Sequence, residues 1–385
     1  MNQIKKSLDY DVIIAGGSVS GLLCAREIAS RGHSVLVIEE DSEIGTPEHC
    51  GGLVSIIGID ELGVVPMRAT LDNKIRSATI FSPAKKSFSL DARSQKVIVL
   101  DRREFDKQIA HQAQTNGAEI RVRTSLREIF DDGVKTSEGT LKCKTVVDAR
   151  GVSSLIQKDR TGILQSAQYE VYADWIEKDR IEVYFDQEKF PGFFAWSIPT
   201  RRDEAKVGVA GKGINAAVAL ESFLKDKGKH STIRKIYAPI WIKGPIPSFV
   251  SKNIVIIGDA AGQSKPTTAG GIYSCGLGGI FAGRSISKFL ESGKSSDLLE
   301  YQKTWTNKFG QEFEHMLLAR GLLERLDNKS IDKMFESITP EIVEEISKEG
   351  SFDFHTISLA KLLGVKGSVK AVQAILGSEF RRLLT

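Results

Sequence analysis

The sequence predicts an α/β (α+β) protein in which a Rossmann-like domain is interleaved with an antiparallel β-sheet domain and followed by a C-terminal helical region. Three observations support this prediction. Two glycine-rich strand–turn–helix segments stand far apart, near residues 11–38 and 253–272. Between them, residues 163–212 alternate apolar and polar side chains, which is typical of half-buried strands. Beyond residue 290 the apolar spacing is helical.

Composition narrows the class of protein. The chain has 385 residues, 41% of them hydrophobic and 26% charged, with a net charge of +4. These values are typical of a globular protein and argue against a nucleic-acid-binding specialist, which would carry a larger basic excess. The four cysteines form no C-x-x-C pair, so neither a metal site nor a disulfide framework is predicted, and a reducing, cytoplasmic location is expected. No cleavable signal and no apolar run of about 20 residues is present, so any membrane contact is expected to be peripheral, on the inner face of the cell membrane.

The first element is a βαβ unit. Residues 11–15 form an apolar strand, a helix follows the glycine-rich turn, and residues 34–38 form the second strand. Such a turn lets a helix N-terminus approach a pyrophosphate, and Glu39, 18 residues after Gly21, is placed to accept hydrogen bonds from ribose hydroxyls. Dinucleotide binding is favoured over an ordinary βαβ turn. The predicted contacts are Gly16, Gly17, Ser18, Val19, Ser20, Gly21, Glu39 and Glu40.

The second signal is another strand, turn and helix at residues 253–272, which include Gly258-Asp259-Ala260-Ala261-Gly262. An acidic residue just beyond a buried strand can bind a polyol such as ribityl. A helix beginning near Gly271 would direct its positive end at the O2/N1 edge of a flavin. The alternative is a glycine-rich loop that only packs a helix closely. Asp259, Gly270, Gly271 and Ile272 are the predicted contacts.

Together these segments resemble FAD-dependent enzymes of the p-hydroxybenzoate hydroxylase-like fold, and more narrowly the geranylgeranyl reductase family. Residues 47–52 (PEHCGG) are similar to that family's P-x-x-C turn, and residues 191–199 (PGFFAWSIP) to its Y-x-W-x-F-P element. In the second element Trp196 and Pro199 match, whereas Phe194 and Ile198 replace the family's Tyr and Phe. Arg150 stands where an Asp is common. The resemblance spans residues 10 to about 290.

The resemblance implies FAD as cofactor and, as activity, the reduction of carbon–carbon double bonds in isoprenoid chains, on a diether phospholipid of the archaeal type or on geranylgeranyl diphosphate. It adds Cys50, Gly51, Arg102 and Gly151 to the cofactor site. Cys50 is expected to act as proton donor or substrate gate, or else only as a packed thiol. The resemblance also implies a substrate slot, which comprises Phe190, Phe193, Phe194, Trp196 and Pro199. The alternative is that the aromatic residues among them are simply part of the sheet core.

The predicted organisation is discontinuous. Residues 1–50, 96–155 and 250–290 are assigned to the FAD-binding domain, 51–95 and 156–249 to the substrate domain, and 291–385 to the helical region.

No second G-x-G-x-x-G is visible, so the electron donor is expected to be NADPH, bound transiently, or a ferredoxin-like protein. Residues 351–385 carry a local charge of +3 among apolar residues, which favours either a membrane surface or a solvated helical face.

Two other functions remain compatible with the sequence. A flavin monooxygenase of the same fold would add oxygen to its substrate. An electron-relay flavoprotein would have no small-molecule substrate and would need an exposed flavin edge, which the aromatic residues 190–196 argue against.

Overall fold

The computed structural model describes residues 8–156, 159–355 and 358. Its strands are β1 (Tyr10–Ala15), β2 (Val35–Ile38), β3 (Leu53–Ser55), β4 (Leu71–Lys74), β5 (Ser77–Phe81), β6 (Ser87–Asp91), β7 (Val97–Leu100), β8 (Glu119–Arg121), β9 (Leu126–Phe130), β10 (Gly133–Thr136), β11 (Gly139–Asp148), β12 (Ile163–Tyr172), β13 (Arg180–Tyr184), β14 (Ala195–Arg201), β15 (Glu204–Gly211), β16 (Ser231–Trp241), β17 (Val250–Ser251) and β18 (Ile254–Ile256). The α-helices are α1 (Val19–Ala29), α2 (Ile56–Glu61), α3 (Arg102–Thr115), α4 (Ser153–Ile156), α5 (Ala216–Lys227), α6 (Ile272–Ser292), α7 (Ser296–Leu323), α8 (Asn328–Glu336) and α9 (Pro340–Glu349).

An eight-stranded sheet forms the Rossmann-like half. Its order is β17-β18-β11-β1-β2-β8, and β1, β2, β8, β11 and β18 run parallel, while β9 and β10 extend the β11 side. The helices α1, α3 and α6 pack together on one face, over a core that includes Leu22, Ile28 and Phe105. The carboxyl ends of β1, β2 and β11 therefore meet at one edge, where ligands bind in open parallel sheets. The predicted βαβ fold is confirmed.

The second sheet has seven strands in the order β16-β12-β15-β14-β13-β5-β6. All of its pairs are antiparallel except β5 with β13. Helix α5 packs against β12 and β15 over a core that contains Tyr169, Phe190 and Phe223. The antiparallel sheet expected from residues 163–212 is confirmed, and it is extended by strands from both sides of that segment.

A third, three-stranded sheet, β3-β7-β4, lies between the two halves. Its central strand β7 was predicted with the FAD-binding half, whereas β3 and β4 belong to the segment 51–95. The same segment also supplies β5 and β6 to the seven-stranded sheet. These strands cross from one half to the other, so the two halves are joined by hydrogen-bonded strands as well as by connecting loops.

After α6, the chain is helical through α9, as predicted. Helix α7 packs along α6 and buries Trp305, Phe309 and Phe313. Within the described ranges, we find no helix that combines the length and the apolar character needed to cross a bilayer. The predicted basic stretch 351–385 falls outside the described residues apart from 351–355 and 358.

Candidate cofactor and substrate cavity

A cavity of about 710 Å³ lies between the carboxyl edge of the eight-stranded sheet and the seven-stranded sheet. One end is lined by the turns that follow β1, β2 and β11, and the other by side chains of β13, β14 and β16. It is therefore large enough for a drug-sized or larger ligand and is reached by both predicted glycine motifs.

The first glycine turn is shaped by close backbone contacts. Gly16 has φ +116°, and a Cβ there would lie 2.3 Å from the carbonyl oxygen of Ala149. Helix α1 begins directly after this turn, and its N-cap residue, Ser18, makes no side-chain capping bond. The N–H groups of the first helical turn are thus left for a ligand, and a helix N-terminus favours an anionic one.

Gly21 has a different role from the other residues of this turn. It is absent from the cavity wall, and a Cβ on it would lie 2.1 Å from the carbonyl oxygen of Gly16. Gly21 therefore allows α1 to pack closely on the turn. Gly16, Gly17, Ser18, Val19 and Ser20 all line the cavity.

Glu39 lies at the end of β2 and also lines the cavity. Its Oε2 accepts a hydrogen bond from the N–H of Gly17 (2.7 Å) and its Oε1 one from the N–H of Asp41 (3.0 Å). Burial raises the pKa of Glu39, and the two N–H donors oppose that shift. Each carboxylate oxygen keeps a second lone pair, so the oriented group can still accept bonds from a diol.

The wall beside Glu39 contains Glu40, Gly151 and Arg150. The guanidinium of Arg150 folds back onto Asp148, with Nε and Nη2 each 2.9 Å from a carboxylate oxygen. Burial raises the pKa of Asp148, but the bonds to Arg150 bring it below its usual value. The Arg that departs from the family pattern is thus neutralised within its own turn.

The second glycine motif lies across the cavity. Gly258–Ala261 is a 3-10 turn, and α6 begins after Gly271, which provides no side-chain cap. A Cβ on Gly271 would lie 2.8 Å from Cys275 Sγ and 3.2 Å from Asp259 Oδ1. Asp259, Gly270, Gly271 and Ile272 all line the cavity. A second open helix N-terminus therefore faces the same space as the first.

Burial raises the pKa of Asp259, partly opposed by a hydrogen bond from the Cys275 thiol (3.4 Å). The Asp259 carboxyl is half-buried and the Ser264 hydroxyl contributes a second hydrogen bond, so its oxygens keep lone pairs that can accept hydrogen bonds from a ligand. Ligand hydroxyls would complete its hydrogen bonding. This observation, with the two open helix ends, fits a bound flavin dinucleotide.

Cys50 lies on the turn after β2 and faces the cavity together with Gly51. The Cys50 thiol interacts with the guanidinium of Arg102, which is held by Asp106 at 2.9 Å. Burial tends to lower the pKa of Arg102, but the charge of Asp106 and the hydrogen bonds to Asp106 and Cys50 raise it overall. The cation is therefore permanent, and it stands beside the Cys50 thiol.

The Cys50 turn is fixed to the seven-stranded sheet. The Cys50 carbonyl accepts a hydrogen bond from Gln168 Nε2 (3.4 Å), and Gln168 Oε1 accepts one from Trp196 Nε1 (3.1 Å). Gln168 was not predicted, because a single glutamine in a strand carries no signal. It connects the candidate thiol with the one tryptophan predicted in the slot.

A buried ion cluster holds the same turn from the other side. The side chain of Glu48 is 2% exposed and is bonded by Lys206 Nζ (2.5 Å) and Arg234 Nη2 (2.8 Å). Burial raises the pKa of Glu48, but Lys206 and the further donors keep it below its usual value. Sequence analysis missed this cluster since its members lie 158 and 186 residues apart.

The aromatic residues predicted for the slot divide into two groups. Phe193, Phe194 and Trp196 line the cavity, and the rings of Phe193 and Phe194 stack at 4.2 Å. Phe190 instead packs on Phe223 in the core under α5, as the sheet-core alternative anticipated. Pro199 is also absent from the cavity wall.

The rest of the slot wall comes from residues that were not predicted. Ile181, Val183, Ile198, Ile240 and Trp241 continue the apolar surface beyond the three aromatic residues. The cavity wall also includes Phe309, Phe313, Lys265, Phe352, Asp353 and His355. Three of these residues, Phe352, Asp353 and His355, belong to the stretch 351–385, which was predicted to contact a membrane surface or to form a solvated helical face.

Comparison with known proteins identifies the class. The FAD binding domain family matches residues 9–202, and the chain belongs to that family. A digeranylgeranylglycerophospholipid reductase of Methanocaldococcus jannaschii is 30% identical over 356 residues, which cover 86% of this chain and 90% of that protein. A second such reductase, from Methanopyrus kandleri, is 27% identical and covers 89% and 93%. The chain is thus a member of the geranylgeranyl reductase family.

Solved structures agree on the fold. A geranylgeranyl bacteriochlorophyll reductase-like protein of Thermoplasma acidophilum superposes with a TM-score of 0.84 at 22% identity, covering 96% of this chain and 98% of that one. A flavin-dependent brominase superposes with a TM-score of 0.67 at 18% identity, covering 97% and 99%. The fold is therefore shared with flavoproteins of different chemistry.

Proposed function

We propose that the protein is an FAD-dependent reductase that saturates the carbon–carbon double bonds of geranylgeranyl chains in membrane lipid precursors of the archaeal type. The observation that carries this proposal is that one cavity joins both glycine motifs and Cys50 to a mainly apolar slot. The relatives named digeranylgeranylglycerophospholipid reductase support the substrate class.

The cofactor would be held from both ends of the cavity. The N–H groups at the start of α1 would bind the pyrophosphate, Glu39 the adenosine ribose, and Asp259 the ribityl chain. Gly270 and Gly271 would border the flavin ring, and Glu40, Gly51, Arg102, Gly151 and Ile272 would complete the site. When bound and reduced, FAD supplies a hydride.

The chain must supply the proton for the second carbon of the double bond. In the proposed step Cys50, which lies at the cavity wall, would transfer its Sγ proton to that carbon and leave a thiolate beside the Arg102 guanidinium. The cation lowers the free energy of that thiolate, and a proton from water would restore the thiol. After each reduction the thiol is neutral again, and the charge of Arg102 is balanced by that of Asp106.

The slot would orient the isoprenoid chain and exclude water. Phe193, Phe194 and Trp196 offer flat apolar surfaces, while the Trp196–Gln168–Cys50 hydrogen bonds keep this wall in register with the thiol. Holding a reacting bond in register is a large part of the catalytic effect of an enzyme. Each further double bond would need the chain to shift along the slot.

Two finer points belong to the proposal. The electron donor would be NADPH or a ferredoxin-like protein, which restores the two electrons used per double bond. The protein would work in the cytoplasm with peripheral contact to the inner face of the membrane, where a lipid substrate resides.

The test is a direct assay. The purified protein, with its flavin spectrum recorded, is reduced anaerobically with dithionite and given geranylgeranylated phospholipid, and the products are analysed by mass spectrometry. We expect a gain of two hydrogens per reduced bond, strongly slowed in Cys50→Ala with FAD still bound. No gain in mass, or addition of oxygen under aerobic turnover with NADPH, would overturn the proposal, and the latter would indicate a monooxygenase.

A matched control separates proton donation from packing. Cys24 is a buried thiol on α1 and does not line the cavity. Cys24→Ala should turn over like the unmodified protein. Turnover by Cys50→Ala equal to that of Cys24→Ala would remove the thiol from the mechanism.

A further inference from the structure

Lys265 is an unusual residue in the cavity wall. Its side chain is inside the protein, with the residue 8% exposed, although buried lysines are rare unless they are paired. Its Nζ donates to the carbonyl oxygen of Phe352 (2.8 Å) and lies 4.6 Å from the centre of the Phe352 ring. Within the part of the chain that the structure describes, no carboxylate forms an ion pair with Lys265. Its principal partner is therefore a backbone carbonyl.

The other cations at the cavity differ from Lys265. Arg102 is neutralised by Asp106, and Arg150 by Asp148. Burial lowers the pKa of Lys265, and the charges of Asp353 and Glu312 oppose that shift without direct contact. A buried ammonium that costs free energy in this way is expected where it has a task.

The partner of Lys265 belongs to a short stretch, residues 352–355, which we call the closing segment. Asp353 accepts a hydrogen bond from Ser55 Oγ, and His355 Nδ1 is paired with Thr267 Oγ1 at 2.9 Å. The backbone N–H of His355 donates to Glu312. Two of these anchors, Lys265 and Thr267, lie on the loop that precedes α6.

The closing segment forms one side of the slot. The Phe352 side chain packs in the hydrophobic cluster that also contains Ala78, Val183, Trp196 and Ile198, all of which line the cavity. Phe354 points the other way, because its ring stacks on Phe309 at 6.0 Å and it is absent from the cavity wall. Phe352, Asp353 and His355 thus line the cavity, whereas Phe354 packs on the core.

We propose that Phe352 is a substrate-contacting, specificity-determining residue and that Lys265 is a positioning residue, which holds the closing segment over the isoprenoid slot through the Phe352 carbonyl. The inference rests on the proposed function, since it names a further part of the wall of that same slot. It also gives the loop between β18 and α6 two tasks, because one face borders the proposed cofactor site and the other fixes the wall that confines the substrate.

The ammonium suits this task. A lysine stem can follow an apolar wall while its head group binds a carbonyl and the face of an aromatic ring. A methionine in its place would keep the apolar stem but could not donate a hydrogen bond to the Phe352 carbonyl. The Phe352 carbonyl would then keep only its contact with His355 Nε2, at 3.2 Å. The closing segment would consequently be held less firmly over the slot.

The experiment uses the full-length holoenzyme and four variants: Phe352→Ala, Lys265→Met, Lys265→Arg and, as matched control, Phe354→Leu. KM and kcat for geranylgeranylated phospholipid, the distribution of partly reduced products and the cleavage rate by chymotrypsin near residues 352–354 are measured. The rate of flavin reduction by dithionite and the FAD content are recorded in parallel.

We expect Phe352→Ala to raise KM at least about tenfold and to release more partly reduced lipid, with FAD content unchanged. Lys265→Met should raise KM several-fold and accelerate chymotrypsin cleavage, and Lys265→Arg should restore most of both losses. Phe354→Leu should leave KM and the product distribution near those of the unmodified protein, because its side chain faces the core.

Several outcomes would overturn the inference. If Phe352→Ala leaves KM and products unchanged, Phe352 does not touch the substrate. If Lys265→Met matches the unmodified protein in KM and cleavage rate, or if Lys265→Arg is as impaired as Lys265→Met, the lysine does not hold the segment. Should Lys265→Met fail to fold, Thr267→Val replaces it, since Thr267 anchors the same segment. Failure of the unmodified protein to reduce any lipid would instead refute the proposed function.

Discussion

The pH response of His355 gives a quantitative prediction. Burial, reinforced by the charge of Lys265, lowers the pKa of His355 from its ordinary value of 6.5 to about 3. The unfolded chain therefore binds one more proton than the folded chain between these two values, so the free energy of unfolding falls as the pH falls below 6.5. For this pKa difference the loss amounts to about 2 kcal/mol between pH 8 and pH 5.

The perturbation is His355→Gln, which retains a donor and an acceptor but does not titrate. Urea unfolding at pH 8, 6.5 and 5 gives the free energy of unfolding of both proteins. We expect the variant to be about 1 kcal/mol less stable at pH 8, because its hydrogen bonds to Thr267 and Phe352 are less well formed. At pH 5 the difference should vanish or reverse.

The exposed His111 provides the control, and His111→Gln should follow the pH dependence of the unmodified protein. A stability difference between the unmodified protein and His355→Gln that stays constant from pH 8 to pH 5 would refute the reasoning. In that case His355 would not be held neutral by its surroundings.

Three further predictions concern the cofactor site and its support. Asp259→Ala should weaken FAD binding by about 10- to 100-fold, the effect expected when a charge-assisted hydrogen bond is lost, as measured by titration of the apoprotein; unchanged affinity would contradict the ribityl assignment. Gly21→Ala should destabilise the protein by about 1–3 kcal/mol and reduce its FAD content, since the new methyl would lie 2.1 Å from the Gly16 carbonyl oxygen; a thermal melt like that of the unmodified protein would exclude this clash. Burial raises the pKa of Asp72 to about 6, so this carboxyl lowers the free energy of unfolding as the pH rises from about 4 to 6. Asp72→Asn should therefore stabilise the protein by about 1–2 kcal/mol at pH 7 but not at pH 4. An equal effect of the substitution at both pH values would argue against the raised pKa.

The parts of the fold that could be predicted are those encoded by local patterns. A buried strand, a glycine turn and an amphipathic helix lie within 30 residues in the first βαβ unit, and the predicted strand 11–15 differs from β1 by one residue. Glu39 was found for the same reason, since its spacing from Gly21 is fixed by one helix and one strand. Local geometry determines these positions, so no knowledge of the rest of the chain was needed.

Residues that act across the molecule could not be predicted. Glu48 meets Lys206 and Arg234 only because a turn after β2 docks on β15 and β16. Phe352 reaches the slot only because α7 and the two helices after it return the chain to the loop before α6. Charged and aromatic residues at such separations have no periodicity that relates them. Lys265 had one signal, a charged residue within an otherwise small and polar glycine-rich loop, which was not used.

Phe190 illustrates the limit of a motif. It stands three residues before Phe193 in the sequence, yet its ring packs under α5. The carbonyl oxygen of Phe190 accepts a hydrogen bond from the N–H of Phe193, so a turn separates the two residues. A turn reverses the direction of successive side chains, so neighbours in a motif need not face the same space. Of the aromatic residues that the motif assigned to the slot, Phe193, Phe194 and Trp196 line the cavity, whereas Phe190 does not.

The ion pairs around the cavity differ in how far apart their partners stand in the sequence, and this determines what each pair can do. Arg102–Asp106 lies within one helix and Arg150–Asp148 within one turn, so both can form as soon as the local structure does. The Glu48 cluster exists only when the Cys50 turn and the seven-stranded sheet are in contact. Because an unpaired buried charge is costly, separation of the two halves would be opposed by the loss of the Glu48–Lys206 pair, whereas Arg234 would keep its pair with Glu170. The Arg102–Asp106 pair thus places a cation beside the thiol, whereas the distant cluster fixes the Cys50 turn against the seven-stranded sheet.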